Sequence, residues 1–203
     1  MTNNIILPGY KGDIVAGSLL VSESCKIAEL LIYEVDEDGW HQAIVIDNLL
    51  QKRSPVAAKR LARLIKNRLS LMRPDLWKMI RTGAADLSIQ ALLAAAIKHS
   101  RLTGDFMENV VKENWRTFNQ KITLRDWTNF LEICSQIDPK VAKWTDATRS
   151  KLKQIVFRIL AEAKYLDSTR SGNLLPVSVL PEIKNYLVSN SENYVLSCME
   201  ATQ

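Results

Sequence analysis

A chain of 203 residues is long enough for one large or two small domains with a sizeable core. Its 47% apolar and 24% charged residues exclude a disordered or low-complexity chain, and seven Gly, six Pro and little strand-like alternation point to a mainly helical, all-α fold. A net charge of +5 and a pI near 9.1 suit an anionic partner.

The first amphipathic segment runs from Ser22 to Glu34, with Cys25, Ala28, Leu31 and Ile32 inward. Asp36-Glu37-Asp38-Gly39 is expected to break the chain before Trp40 to Leu50, a second short helix or apolar segment. A three-residue bend at Lys52-Arg53-Ser54 then leads into a basic helix, with Ser54 as cap and Pro55 at the first helical position. Ala57, Leu61, Leu64, Ile65, Leu69 and Met72 fall on one side of it at about 100° per residue. Short helix, tight turn and basic helix is the order of a helix-turn-helix unit, whose second helix lies in the major groove.

Charge gives this region its interest. Between Gln51 and Arg73 stand Lys52, Arg53, Lys59, Arg60, Arg63, Lys66, Arg68 and Arg73, with no Asp or Glu among them. These eight cations exceed the net charge of the whole chain, +5, and a footprint so concentrated fits a phosphate backbone. A solvated helix face usually mixes both signs. Lys59, Arg63 and Lys66 share the face opposite the apolar stripe, so this helix is expected to carry more of any binding than a second basic helix further on. Arg68 falls near the apolar stripe, where it would snorkel or pair with an acid.

Pro74-Asp75 starts a short helix through Ile80, and Thr82-Gly83 ends it. Asp86 is placed to cap Leu87 to Lys98, the most apolar stretch, interrupted by Ser88 and Gln90 and too short to span a bilayer. Thr103-Gly104-Asp105 is expected to open a helix containing Phe106, Val110 and Val111. Thr123 to Asp126 has capping-box spacing before Trp127, Phe130, Leu131 and Cys134, aromatics whose spacing suits a core better than a stacking platform.

Asp138-Pro139 and Trp144-Thr145 frame a boundary before a second basic helix, Asp146 to Ala163. It buries Leu152, Ile155, Val156, Ile159 and Leu160, and carries Arg149, Lys151, Lys153 and Arg158 on its other faces. Tyr165 to Leu175 resembles two short strands around a Gly-containing turn, with Arg170 near its tip, before a helix from Glu182 to Val188. A helix followed by a small hairpin suggests a winged helix. Three units are therefore expected: residues 1–74, 75–144 and 145–203.

Gly17-Ser18-Leu19, Asn48 through Ser54, Arg68-Leu69, Thr103 through Phe106, Asp126-Trp127 with Phe130-Leu131, Trp144-Thr145 through Leu152, and Leu160 to Leu166 together resemble the BrxA family of BREX bacteriophage-exclusion systems. The resemblance runs in order along nearly the whole chain. It implies an all-helical fold with helix-turn-helix-like ends, a distant likeness to the antitermination factor NusB, DNA binding in phage defence, and other BREX components as partners. Members have also been labelled inner-membrane proteins, a label that the hydropathy of this chain opposes.

Enzymatic chemistry finds no support in the sequence. His41 and His99 are the only histidines and form no His-x-x-x-His or His-Glu-x-x-His pair, and there is no Gly-x-Ser-x-Gly, Walker loop or Gly-x-Gly-x-x-Gly. The acids Glu34, Asp36, Glu37 and Asp38 lack the EF-hand pattern. Cys25, Cys134 and Cys198 are odd in number and widely spaced, so neither a disulfide framework nor a zinc site is indicated. With no apolar N-terminal h-region, the expectation is a soluble, cytoplasmic protein that needs no cofactor or metal.

The reading favoured is a non-catalytic accessory protein binding double-stranded DNA. The expected contacts are Lys52, Arg53, Lys59, Arg60, Arg63, Lys66, Asn67 and Arg73, with Arg149, Lys151, Lys153, Arg158 and Arg170. Asn67 and Gln154 are the candidates for adenine contacts, so base discrimination should be weak. A NusB-like RNA binder and a scaffold docking acidic subunits are the alternatives. RNP-type strands and a Gly-x-x-Gly loop, the marks of common RNA modules, are absent.

Overall fold

The computed structural model describes residues 9–203. The first eight residues, on which the reading of the N-terminus as leaderless partly rests, lie outside the described region. A 3-10 turn at Asp13–Ala16 precedes α1 (Val21–Ile32), and α2 (Glu37–His41) runs on as a π turn over Gln42–Ile46. Then come α3 (Pro55–Leu69), α4 (Pro74–Thr82), α5 (Ala85–His99) and α6 (Arg101–Phe106). A π turn, Met107–Val111, joins α6 to α7 (Lys112–Arg116). The chain ends with α8 (Leu124–Ile137), α9 (Pro139–Ala142), α10 (Asp146–Glu162), α11 (Pro181–Ser189) and α12 (Asn193–Met199).

The architecture is built around α5. A helix apolar on every side must be covered on every side, and Ala91 through Ile97 are all buried. Six helices, α1, α3, α4, α6, α11 and α12, pack against it. Its alanines let their axes come close. Gln90, also buried, is fully used: its side chain donates to the Ser178 carbonyl (2.9 Å) and accepts from the Leu180 N–H (2.8 Å), which ties the approach to α11 onto the central helix.

A second cluster joins α6, α8 and α10. Phe106 meets Trp127 and Phe130 edge-on, with ring centroids 5.4 and 5.2 Å apart, and Phe157 of α10 at 5.9 Å. Each ring contributes about 1.5–3 kcal/mol through burial, and the edge-on geometry suits their quadrupoles. These aromatics are core. One continuous cluster of buried residues runs from Tyr10 to Ala201 and draws on all three stretches into which the sequence divides.

Several local expectations change. Asp36 does not break the chain: its carboxylate accepts from the Gly39 N–H (2.9 Å) and starts α2. Residues 47–54 separate that helical segment from α3, a longer connection than the three- to four-residue turn of a helix-turn-helix unit. Ser54 does cap α3, accepting from Ala57 N–H at 3.2 Å. Asp86 sits inside the first turn of α5 and pairs with Lys164 at 2.7 Å, leaving the cap position to Ala84. The helix holding Phe106 starts at Arg101 behind the Ser100 cap, so Gly104 is interior, where a Cβ would collide with the Tyr194 hydroxyl group. The capping box at α8 forms as expected, Thr123 and Asp126 each taking the other's backbone N–H.

Residues 165–175 form no strand pair. Among the described residues only isolated antiparallel bridges occur, Leu166 with Leu174 and Lys121 with Asn173. A carboxylate organises the turn instead. Asp167 accepts from the Ser171 hydroxyl (2.8 Å), the N–H groups of Ser168 (2.6 Å) and Asn173 (3.0 Å), and the Asn173 amide (2.7 Å). These partners, the Ser171 hydroxyl first, hold its carboxyl below the ordinary aspartate range. The turn then clamps onto the segment before α8: Ile122 N–H donates to Gly172 O (2.9 Å) and Leu174 N–H to Gln120 O (2.8 Å). Gly172 has φ +69°, and a Cβ there would lie 2.5 Å from the Ile122 carbonyl oxygen, so the clamp requires glycine.

Candidate nucleic-acid interface

Of the cations that the sequence marks out, five leave the reckoning of a simple basic face. Arg68 is 4% exposed and turns inward, donating to the carbonyls of Ser18 and Gly17; it anchors the 3-10 turn to α3. Lys52 meets Glu23 at 2.6 Å, both side chains largely covered. Burial by itself would raise the Glu23 carboxyl, but the Lys52 hydrogen bond and charge outweigh it and hold it below its ordinary value. Arg149, at the start of α10, is half-buried and donates to the Trp144 carbonyl at 3.2 Å. Arg53 and Arg73 are exposed but stand at the two ends of α3, and the Arg73 N–H is fixed by the Tyr186 hydroxyl at 2.8 Å.

Lys59, Arg60, Arg63, Lys66 and Asn67 are exposed on α3, whose opposite face is buried from Ala58 to Leu69. The structure adds something the sequence concealed. Lys59, Arg63 and Lys66 form one wall of a 490 Å³ groove whose other wall is α2, with Asp36 and Glu37 at its rim. Two carboxylates therefore share the groove with three cations and weaken its potential. Lys66 lies over the Trp40 ring, 4.2 Å from its centroid. Such a contact is worth about 0.5–1 kcal/mol at an exposed site, and it holds one of the three cations in place.

The C-terminal cations are arranged differently. Lys153 and Arg158 of α10, Arg170 in the Asp167-built turn, and Lys121 before α8 converge on a 530 Å³ cleft floored by Phe157. No carboxylate lines it among the described residues. None of the four pairs with an acid among the described residues. Thr123 and Thr169 add hydroxyl groups to the wall. Lys151 remains exposed outside the cleft, whereas Gln154 lies on its edge. Four cations without a direct acid partner in a concavity focus a positive field more strongly than the same charges on a convex helix, although Asp167 and Asp126 stand one hydrogen bond behind the cleft residues Ser171 and Thr123.

Lys121 was missed by sequence reasoning. It stands alone, one residue from a buried Ile122, and only the clamp between residues 120–122 and 172–174 brings it beside Arg170. A local signal existed nonetheless: a capping box right after it announces that a helix start, and the chain leading into it, must be fixed in place.

No group of three or more His, Cys, Asp or Glu side chains is placed to hold a metal among the described residues. Burial raises the thiols of Cys134 and Cys198 to about 11 and about 12, which keeps them protonated and unreactive near neutrality. No described helix is long and apolar enough to cross a membrane.

A mainly helical body with a single core, a basic helix facing two carboxylates and a basic cleft lined by none defines the class of protein at hand. The BrxA family model matches residues 8–191, and the chain belongs to that family. It is 44% identical over 195 residues to the BREX protein BrxA of Paramagnetospirillum magneticum, covering 96% of this chain and 98% of that protein. The BrxA protein of Escherichia coli O9:H4 is 34% identical over 93% of this chain and 89% of its own length. A crystal structure of an uncharacterized protein from Magnetospirillum magneticum matches the fold with TM-score 0.88 at 42% identity, covering 96% of this chain and all of that one.

Proposed function

We propose that this chain is a non-catalytic component of a BREX phage-defence system that binds DNA through its phosphate backbone, in company with other BREX components. The defence role follows from family membership and from relatives that are named as BREX proteins. The cleft of Lys121, Lys153, Arg158 and Arg170, free of any carboxylate, is the observation that carries DNA binding. Phosphates are the ligand that four convergent, unpaired cations fit best, and phosphate contacts position a protein without selecting a base sequence. The exposed face of α3 adds a second, weaker contact, because Asp36 and Glu37 share its groove. This ordering inverts the one drawn from the sequence, where only the alignment of Lys59, Arg63 and Lys66 was visible.

The test is fluorescence anisotropy of the full chain with a labelled duplex across a salt series. Four neutralised phosphates give a slope of log K against log salt near −3.6, from about 0.9 per phosphate. Reversing Arg158 and Arg170 to Glu should weaken binding more than reversing Lys59, Arg63 and Lys66 together, with melting temperatures unchanged. Salt-insensitive binding, or none at low salt, would overturn the proposal and turn the basic surfaces over to an acidic protein partner.

A further inference from the structure

Phe118 is the most exposed large apolar side chain described, at 89% of its full surface. It follows α7 at the position where a helix usually ends on glycine, and its φ of +57° is a conformation that a bulky side chain adopts only at a cost. The ring gains no burial in exchange. The backbone that carries it is held all the same, since the flanking Asn119 N–H donates to the Asn114 carbonyl (2.9 Å) and Gln120 O accepts from Leu174 (2.8 Å). Three residues on is Lys121, so the Phe118 backbone is tethered within about 11 Å, Cα to Cα, of a residue of the cleft wall. Leu124, 63% exposed, lines the cleft.

A bare aromatic beside a cationic channel is the combination that accommodates an unstacked base: cations track the backbone and the ring takes the base. Apolar wedges next to phosphate contacts also unstack a duplex step. We infer that the cleft, resting on the DNA-binding reading above, takes DNA at a point where a base is unpaired, with the backbone on Lys121, Lys153, Arg158 and Arg170 and the free base stacked on Phe118. The protein then distinguishes a bubble, flap or junction from an uninterrupted duplex without reading sequence.

The experiment compares two labelled duplexes of equal length and ends, one fully paired and one carrying a short central mismatch bubble, with wild type, F118A and R158E/R170E. Wild type should prefer the bubble by about tenfold, within the range measured for stacking one base on an aromatic ring. F118A, a change at an exposed ring, should keep its affinity for the paired duplex within about twofold and lose the preference. R158E/R170E should lose affinity for both. Equal affinity of wild type for the two duplexes, or a preference that survives in F118A, overturns the inference while leaving DNA binding intact. Absence of salt-dependent binding to either duplex overturns both readings together.

Discussion

At the scale of single residues, charge in this chain divides into what holds the fold and what faces outward, and the two are neighbours in sequence. Arg68 and Lys66 are two positions apart on one helix. Lys66 lies on a surface tryptophan, whereas Arg68 is buried and supplies the donors for two backbone carbonyls, Gly17 and Ser18. Replacing Arg68 with Ala strands both acceptors and costs about 2–3 kcal/mol. In a protein of this size that lowers the melting temperature by about 5–10 °C. Lys59→Ala, on the exposed face, should stay within about 0.5 kcal/mol. Thermal melts of the two variants side by side check the contrast, and a stable R68A would refute the anchor. Helical periodicity already set Arg68 apart from the outward cations. What it could not supply was the partner, because the carbonyls come from a turn some fifty positions earlier in the chain.

At the scale of elements, periodicity and capping residues made most helices legible. α3 with Ser54 and Pro55, α8 with its capping box, and α10 behind Thr145 all begin where their side chains can satisfy the first free N–H groups. Turns held by polar side chains were harder. Tyr165 to Leu175 resembles two short strands around a Gly-containing turn in sequence, yet Asp167 supplies the organising acceptor. Its lowered carboxyl makes the contribution pH-dependent. A carboxyl held below its unfolded value stabilises the fold above that value, and the effect fades as the pH falls through the folded one. The difference in melting temperature between wild type and Asp167→Ala should therefore be full at neutral pH and shrink only on strong acidification. A constant difference across that range would show that the carboxylate charge is irrelevant to the turn.

At the scale of the whole molecule, one core carries the fold. α5 touches α1, α3, α4, α6, α11 and α12, so each of these six helices loses part of its apolar cover once α5 is removed. Unfolding followed by tryptophan fluorescence and by far-ultraviolet circular dichroism should give coincident transitions in denaturant. Separated transitions would indicate units that fold independently, as a division at residues 74 and 144 implies.

The sequence by itself determined the helical class, the buried central helix, the aromatic core and the positions of the basic helices, which follow from local spacing, and the family, which follows from the resemblance of motifs in order along the chain. Tertiary structure decided which cations act together. Electrostatic potential at a site depends on every charge within a few ångströms, and those charges come from segments far apart in sequence. Asp36 and Glu37 oppose Lys59, Arg63 and Lys66 only because the π turn after α2, Gln42–Ile46, packs on α3, which no local pattern records. Lys121 meets Arg170 for the same reason, through a clamp that needs a glycine, a carboxylate and two backbone hydrogen bonds to close.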